Sequence, residues 1–222
     1  FGVLGQRPTH PELLDHLAIQ FVEGGWSIKK LIRSLMLTRT YQMGSKVNPA
    51  YVDSDPENLW WHRMPIRRLE GEVIRDAMLT VSGRLDRTLH VGSVPVYVTA
   101  FMQGRGRPRG GPLDGHGRRS IYTSVNRNFL SPMMLAFDTP IPFTTIGRRT
   151  QSNVPAQALM LMNDPFVVQQ AERWAKRTLA EDLRSAEVRI NSLYESGFAR
   201  PATEQETQDG MEFLKIQAES YG

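Results

Sequence analysis

The sequence predicts a mainly α-helical domain of about seven helices with one small β-hairpin. Apolar residues recur at helical spacing along much of the chain, most clearly over residues 66–82. Capping signals precede several of these segments, for example the capping box of Thr203 and Glu206. Only residues 94–101 and 119–125 alternate weakly, as strands of a hairpin do. Helices that follow one another without intervening strands argue against a parallel α/β sheet.

The helices are expected in chain order. The first begins at a capping box of Thr9 and Glu12, and the second begins at Ser27. The third covers residues 66–82, and its expected apolar face comprises Leu69, Val73, Ile74, Ala77, Met78 and Val81. The later helices are expected over residues 129–137, from Pro155, from Asp164, over residues 183–198 and over residues 203–221.

The domain organisation is expected to be a single C-terminal helical domain over residues 1–222. Because the chain opens Phe-Gly-Val-Leu-Gly without an initiator Met, we expect it to be a fragment of a larger protein. Residues 44–58 and the Gly/Arg-rich residues 104–117 are predicted surface loops. Residues 183–222 are predicted to form a semi-independent helical hairpin.

The composition excludes several classes of function. The chain has no cysteine, so disulfides, thiol nucleophiles, Cys-ligated metals and covalent haem c attachment are excluded for this segment. No apolar run approaches the roughly 20 residues that a membrane-spanning helix needs. The net charge is +4, and much of the excess lies in residues 105–119, which contain five Arg and one Asp.

These arginines suggest a polyanion-binding patch. Its predicted members are Arg105, Arg107, Arg109, Arg118, Arg119, Arg148 and Arg149. An anionic polysaccharide is the favoured ligand, because sulfate and carboxylate groups match the planar guanidinium. The string Arg-Gly-Arg-Pro over residues 105–108 also resembles a minor-groove DNA hook. Four residues are a short signal, so nucleic acid is the weaker alternative.

A hydrolase is the alternative to a binding module. Its candidate acids and bases are Glu70, Glu72, Asp76 and His116. The competing interpretation is structural, since carboxylates and arginines one helical turn apart often only stabilise a helix surface.

Two aromatic residues and one histidine pair offer further candidate sites. Trp60 and Trp61 can form a sugar-stacking platform, or one of them can anchor the chain to the core. His10 and His16 are not spaced as ligands on one helical face, so no metal site is predicted.

Several long motifs resemble a known family. They are residues 1–15 (FGVLGQRPTHPELLD), 21–27 (FVEGGWS), 67–78 (RRLEGEVIRDAM), 82–86 (SGRLD), 118–122 (RRSIY), 154–166 (VPAQALMLMNDPF) and 197–203 (GFARPAT). Together and in this order they are similar to the C-terminal domain of unknown function of planctomycete-type cytochrome-c-domain multidomain proteins. The resemblance covers nearly the whole chain.

The resemblance implies a context rather than an activity. It implies an exported protein in which a haem c module precedes this domain, so haem is expected only upstream and no cofactor in this segment. Other domains of the same parent protein are the implied partners. The family has no established catalytic residues, so none is carried over to this chain.

Overall fold

The computed structural model describes residues 5, 7–90, 92–143, 145–181 and 185–221. This part of the chain contains eight α-helices and no named strand, so the mainly helical class is confirmed. The helices are α1 (Pro11–Glu23), α2 (Ile28–Met36), α3 (Gly71–Val81), α4 (Pro132–Ala136), α5 (Pro155–Asn163), α6 (Pro165–Ala180), α7 (Ala186–Phe198) and α8 (Glu204–Tyr221). Short 3₁₀ turns lie at Pro49–Tyr51, Gly115–Gly117 and Ser120–Tyr122.

The chain divides into two compact units, which the sequence did not indicate. Unit 1 comprises residues 1–68, and unit 2 comprises residues 69–222.

Unit 1 contains α1 and α2, which pack against each other. The Ser27 side chain accepts the backbone N–H of Lys30 at 3.3 Å, which confirms the predicted cap of α2. The residue before α1 is His10, and its side chain makes no capping bond, so the predicted capping box at Thr9 is wrong. The described residues of unit 1 that are buried are both polar, Asp55 and Asn58.

Unit 2 is built around α3, which contacts α4, α6, α7 and the turn Ser120–Tyr122. Its hydrophobic core comprises Leu79, Met133, Phe137 and Phe166, and Leu79 is completely buried. The most distant helix in sequence, α8, packs on α7. The core therefore joins helices that are far apart in the chain.

The buried face of α3 coincides only in part with the predicted one, since Ile74 and Met78 are half-buried against the core. Gly71, Arg75 and Leu79 are buried at intervals of four residues, whereas Leu69 and Val73 are exposed. The helix begins at Gly71 rather than at residue 66 because Glu70 is extended. A Cβ at position 71 would lie 3.1 Å from Thr139 Oγ1 and 3.2 Å from Phe137 Cβ, so a larger residue there requires these neighbours to shift by a few tenths of an ångström.

The predicted hairpin of residues 94–101 and 119–125 is not confirmed. Val94 donates to the carbonyl of Tyr122 and accepts from the N–H of Ser124, both at 2.8 Å, which makes one isolated parallel bridge. A hairpin needs antiparallel pairing, and the turn Ser120–Tyr122 interrupts the expected second strand.

The two predicted surface loops contain buried residues. Asp55 is buried within residues 44–58. In residues 104–117, Asp114, Gly115 and Gly117 are buried, while Arg105, Arg107 and Arg109 are exposed. The exposed part of the second loop therefore ends before Asp114.

The end of α7 and the start of α8 are joined by a polar cluster. Thr203 and Glu206 form the predicted capping box, with Thr203 N–H to Glu206 at 2.9 Å and Glu206 N–H to Thr203 Oγ1 at 3.2 Å. Arg200 adds two hydrogen bonds to the Glu206 carboxylate, at 2.8 and 2.7 Å.

The predicted start of α7 at residue 183 lies outside the described residues.

Replacing Leu79 tests the core assignment. Leu79→Ala should lower the free energy of unfolding by about 3 kcal/mol, because a fully buried leucine loses its contacts and leaves a cavity. Chemical denaturation measures this change. The control Leu179→Ala removes a side chain that is 65% exposed and should cost less than about 0.5 kcal/mol. Equal losses in both variants would contradict the assignment.

The Glu206 cluster makes part of the stability depend on pH. Hydrogen bonds from Arg200 and from Thr203 lower the pKa of Glu206 from 4.5 to about 2. Its stabilising effect is therefore complete above pH 4.5 and is lost as the pH falls towards 2.

The measurement is thermal unfolding of wild type and Glu206→Gln between pH 6 and pH 3. The difference in melting temperature should shrink as the pH falls. Glu204→Gln, which changes a neighbouring exposed carboxylate, should show no such trend. A constant difference for Glu206→Gln across this range would refute the assignment.

Candidate functional site

The predicted catalytic carboxylates of α3 are held by internal partners. Arg149 donates to both oxygens of Glu72, at 2.9 and 3.0 Å, and to Glu70 at 3.1 Å. The hydrogen bonds that Arg149 donates to Glu72 raise the pKa of Arg149. The Arg149 guanidinium therefore occupies both oxygens of the Glu72 carboxylate in a bidentate pair.

The other two candidates, Asp76 and His116, also make hydrogen bonds within the protein. Asp76 accepts the backbone N–H and the hydroxyl of Ser120, both at 2.7 Å, and thereby ties α3 to the turn Ser120–Tyr122. His116 is exposed, and its backbone N–H donates to Asp114. Within the described chain, neither residue lines either of the two cavities described below.

A buried arginine that the sequence analysis missed lies at the centre of this region. Arg75 donates to the carbonyls of Arg118 and Asp114 at 2.9 and 2.8 Å, and to Ser120 Oγ at 3.2 Å. Its guanidinium lies 5.3 Å from the centre of the Phe166 ring. Burial lowers the pKa of Arg75. The spacing Gly71, Arg75, Leu79 is the sequence signal that indicates this buried face.

Arg75 also lines a small cavity of unit 2. The cavity measures about 70 Å³, and its lining includes Met133, Phe166 and Gly115. Ligand pockets usually measure about 300–1,000 Å³, so this cavity is too small for a sugar. We therefore assign Arg75 a structural role.

Four of the seven predicted polyanion-binding arginines are engaged within the protein. Arg118 is buried, bonds Asp86 at 3.3 Å and the Thr88 carbonyl at 2.7 Å, and lies 4.3 Å from the Tyr122 ring centre. Arg119 lies 3.4 Å from Asp76. Arg149 bonds Glu70 and Glu72, and Arg107 donates to the Thr99 carbonyl at 3.3 Å.

The remaining three arginines, Arg105, Arg109 and Arg148, are exposed. They make no hydrogen bond or ion pair with the other described residues. Arg105, Arg107 and Arg109 lie in an exposed segment of residues 99–109, which we call the basic loop. The same loop carries Phe101, whose side chain is 95% exposed.

In unit 1, a polar turn presents the two tryptophans of the predicted sugar platform. The Asp55 carboxylate accepts the backbone N–H groups of Leu59 at 2.7 Å and Trp60 at 2.9 Å. Asn58 exchanges hydrogen bonds with the backbone of Arg63, at 2.8 and 3.2 Å. We call residues 55–63 the Trp turn.

The Trp turn holds backbone angles that side chains rarely adopt. Asn58 has φ of 58° and Trp61 has φ of 52°. Trp60 is 66% exposed, and Trp61 is 40% exposed with its ring 4.4 Å from that of His10. Both rings are therefore accessible.

The pKa of Asp55 reflects the strength of these contacts. Burial raises the pKa, but the N–H groups of Trp60 and Leu59 and the nearby charges of His62 and Arg63 outweigh that effect. The pKa of Asp55 lies below its ordinary value as a result.

Unit 1 also contains an open apolar groove of about 1,110 Å³. Its lining includes Leu13 and Leu17 of α1, Ile32 and Leu35 of α2, and Trp61. Arg63, Arg67 and Glu57 also contribute to the lining. The groove exceeds the usual volume of a small-ligand site.

Comparison with protein families identifies the relationship. The model of a family of proteins of unknown function, PSD1 (DUF1553), matches residues 1–214. The chain belongs to the PSD1 family. Comparisons with curated proteins and with solved structures find no match. The family match covers both units, and the function of the family is unknown.

The described part of the PSD1 chain shows neither a metal-binding cluster nor a membrane-spanning helix. Among its described residues, no group of three or more His, Asp or Glu side chains is placed to hold a metal ion. No helix in that same part is long and apolar enough to span a membrane.

Replacing Asp55 tests the role of the Trp turn. Asp55→Asn should speed hydrogen exchange of the Leu59 and Trp60 amides, because an amide nitrogen replaces one of the two acceptor oxygens. Exchange of α3 amides should not change. NMR-detected hydrogen exchange measures both. Glu57→Gln alters an exposed carboxylate of the same turn and should leave these amides protected. Unchanged exchange in Asp55→Asn would contradict the role assigned to Asp55.

Proposed function

We propose that this PSD1 chain is a non-catalytic binding module of an exported multidomain protein. We further propose that it binds an anionic polysaccharide through the basic loop. The observation that carries the proposal is that Arg105, Arg107 and Arg109 are exposed in the same loop as Phe101, although Arg107 also donates to the Thr99 carbonyl.

The local charge supports this choice of loop. Residues 87–113 contain four arginines and no Asp or Glu. An exposed guanidinium without a neighbouring carboxylate is available to a ligand, and it binds sulfate or carboxylate groups through paired N–H donors. The Phe101 ring adds an apolar surface on which a sugar face can pack.

The state of the carboxylates supports a non-catalytic role. Glu70 and Glu72 are paired with Arg149, and Asp76 is bonded to Ser120. Enzymes instead collect perturbed titratable groups in a cleft. The hydrolase alternative therefore has no geometric support in the described residues.

The similarity of the sequence motifs to planctomycete-type cytochrome-c-domain proteins supports the wider context. On that basis we propose export, other domains of the parent protein as partners, and haem c only in an upstream module. Nucleic acid is the competing polyanion, because Arg-Gly-Arg-Pro at residues 105–108 also suits a narrow minor groove.

A charge-removal variant tests the basic loop. Replacing Arg105, Arg107 and Arg109 together with Gln should weaken binding to immobilised heparin about tenfold, since each exposed charge pair contributes about 0.5 kcal/mol. Affinity of the wild type should fall steeply with salt, and the variant should show a shallower slope. The melting temperature should stay unchanged because the loop is exposed.

The matched control removes the same charge elsewhere. Arg173, Lys176 and Lys215 are exposed helix residues of unit 2, and replacing all three with Gln should leave heparin binding nearly intact. Equal losses in the two triple variants would mean that only net charge matters, which would reject the loop as the contact. Tighter binding to duplex DNA than to heparin at the same salt would reject the polysaccharide as ligand.

A further inference from the structure

We propose that the apolar groove of unit 1 receives helix α8 of a second copy of this chain. The inference is independent of the basic loop and concerns self-association. It starts from two apolar surfaces that lack cover, one on unit 1 and one on α8.

The first surface is the groove of about 1,110 Å³. None of the apolar side chains described in unit 1 is buried, and Ile32 in the groove lining is 51% exposed. Exposed apolar areas of this kind mark sites that contact another macromolecule. The groove is larger than a small-ligand pocket, and an amphipathic helix is the element that commonly fills such a groove.

The second surface is the distal half of α8. This helix packs on α7, yet Phe213 is 61% exposed and Ile216 is 53% exposed. These two residues are three positions apart and therefore lie on neighbouring parts of one helix face. Tyr221, at the end of the helix, is 88% exposed. The three-residue separation of Phe213 and Ile216 is typical of the anchor residues of a helix bound in a groove.

The negative charge of α8 supports this helix as the occupant of the groove. α8 contains five acidic residues and one lysine, whereas residues 1–68 contain nine basic and six acidic residues. Asp209 and Glu212 precede Phe213 on α8 and Lys215 follows it, while Arg63, Arg67 and Glu57 line the groove, so the helix is net acidic and the groove net basic. Insertion of α8 therefore places opposite charges at the edge of an apolar contact, which favours this pairing over insertion of a basic helix.

The proposed contact uses the groove of one copy and α8 of the other. Two variants that each lose one of these surfaces should therefore complement each other when mixed. Phe213→Glu removes the helix anchor and keeps the groove, and Ile32→Glu does the reverse. Sedimentation velocity of the 222-residue chain should show self-association that each variant weakens more than about tenfold, as expected for a buried anchor. An equimolar mixture of the two variants should associate again, because each supplies the surface that the other lacks.

Matched controls and a second pair of variants keep the test decisive. Gln208→Glu, about 140° around α8 from Phe213, and Ser34→Glu on α2 add the same charge outside the contact and should associate as the wild type does. The surface variants Arg67→Glu and Glu212→Lys should each weaken association and restore it when mixed. A monomeric wild type, or mixtures that remain monomeric while circular dichroism shows folded variants, would overturn the proposal.

Discussion

The buried guanidinium of Arg75 is the interaction on which the arrangement of unit 2 depends. A buried charge is costly unless its hydrogen-bonding groups are satisfied, and Arg75 meets this need with acceptors 39 to 45 residues away. These bonds fix residues 114–120 against α3. Asp76, the next residue, adds the bonds to Ser120. Position 115 must then be glycine, because a Cβ there would lie 2.7 Å from Arg75 Nη2.

Local sequence signals predicted the positions of the helices, but they did not predict the tertiary contacts of Arg75. The helices of residues 155–180 and 204–221 follow from Pro155, Asp164 and the Thr203 capping box, which act within one turn. The face of α3 was assigned from apolar residues alone, so the burial of Arg75 was not predicted. Its partners are backbone carbonyls, which have no signature in the sequence. The hairpin failed for a similar reason, since the turn at Ser120 is held by Asp76 across 44 residues.

The same limit applies to the candidate site. The sequence shows where the arginines lie along the chain, but it does not show which of them are exposed in the fold. Arg118, Arg119 and Arg149 donate hydrogen bonds to carboxylates that are 32, 43 and 77 residues away in the sequence. Only the fold brings these groups together. The basic loop lies in a stretch, residues 87–113, that contains no carboxylate, so its arginines have no ion-pair partner at neighbouring positions in the sequence. Whether a carboxylate from a distant position reaches an arginine is decided by the fold, as it is for Arg118, Arg119 and Arg149.

The two units are ordered by different means. In unit 2, apolar side chains around Leu79 form a core, and polar contacts position the loops on it. In unit 1, the buried residues described are Asp55 and Asn58, which fix a turn but remove little apolar surface from water. Hydrogen bonds of this kind specify a local conformation, whereas burial of apolar area supplies most of the stability of a fold. The apolar side chains of α1 and α2 that line the groove therefore stay exposed to solvent, and they are the surface that the proposed contact with α8 covers. Because the family match runs over residues 1–214, the groove and the basic loop both belong to the family domain.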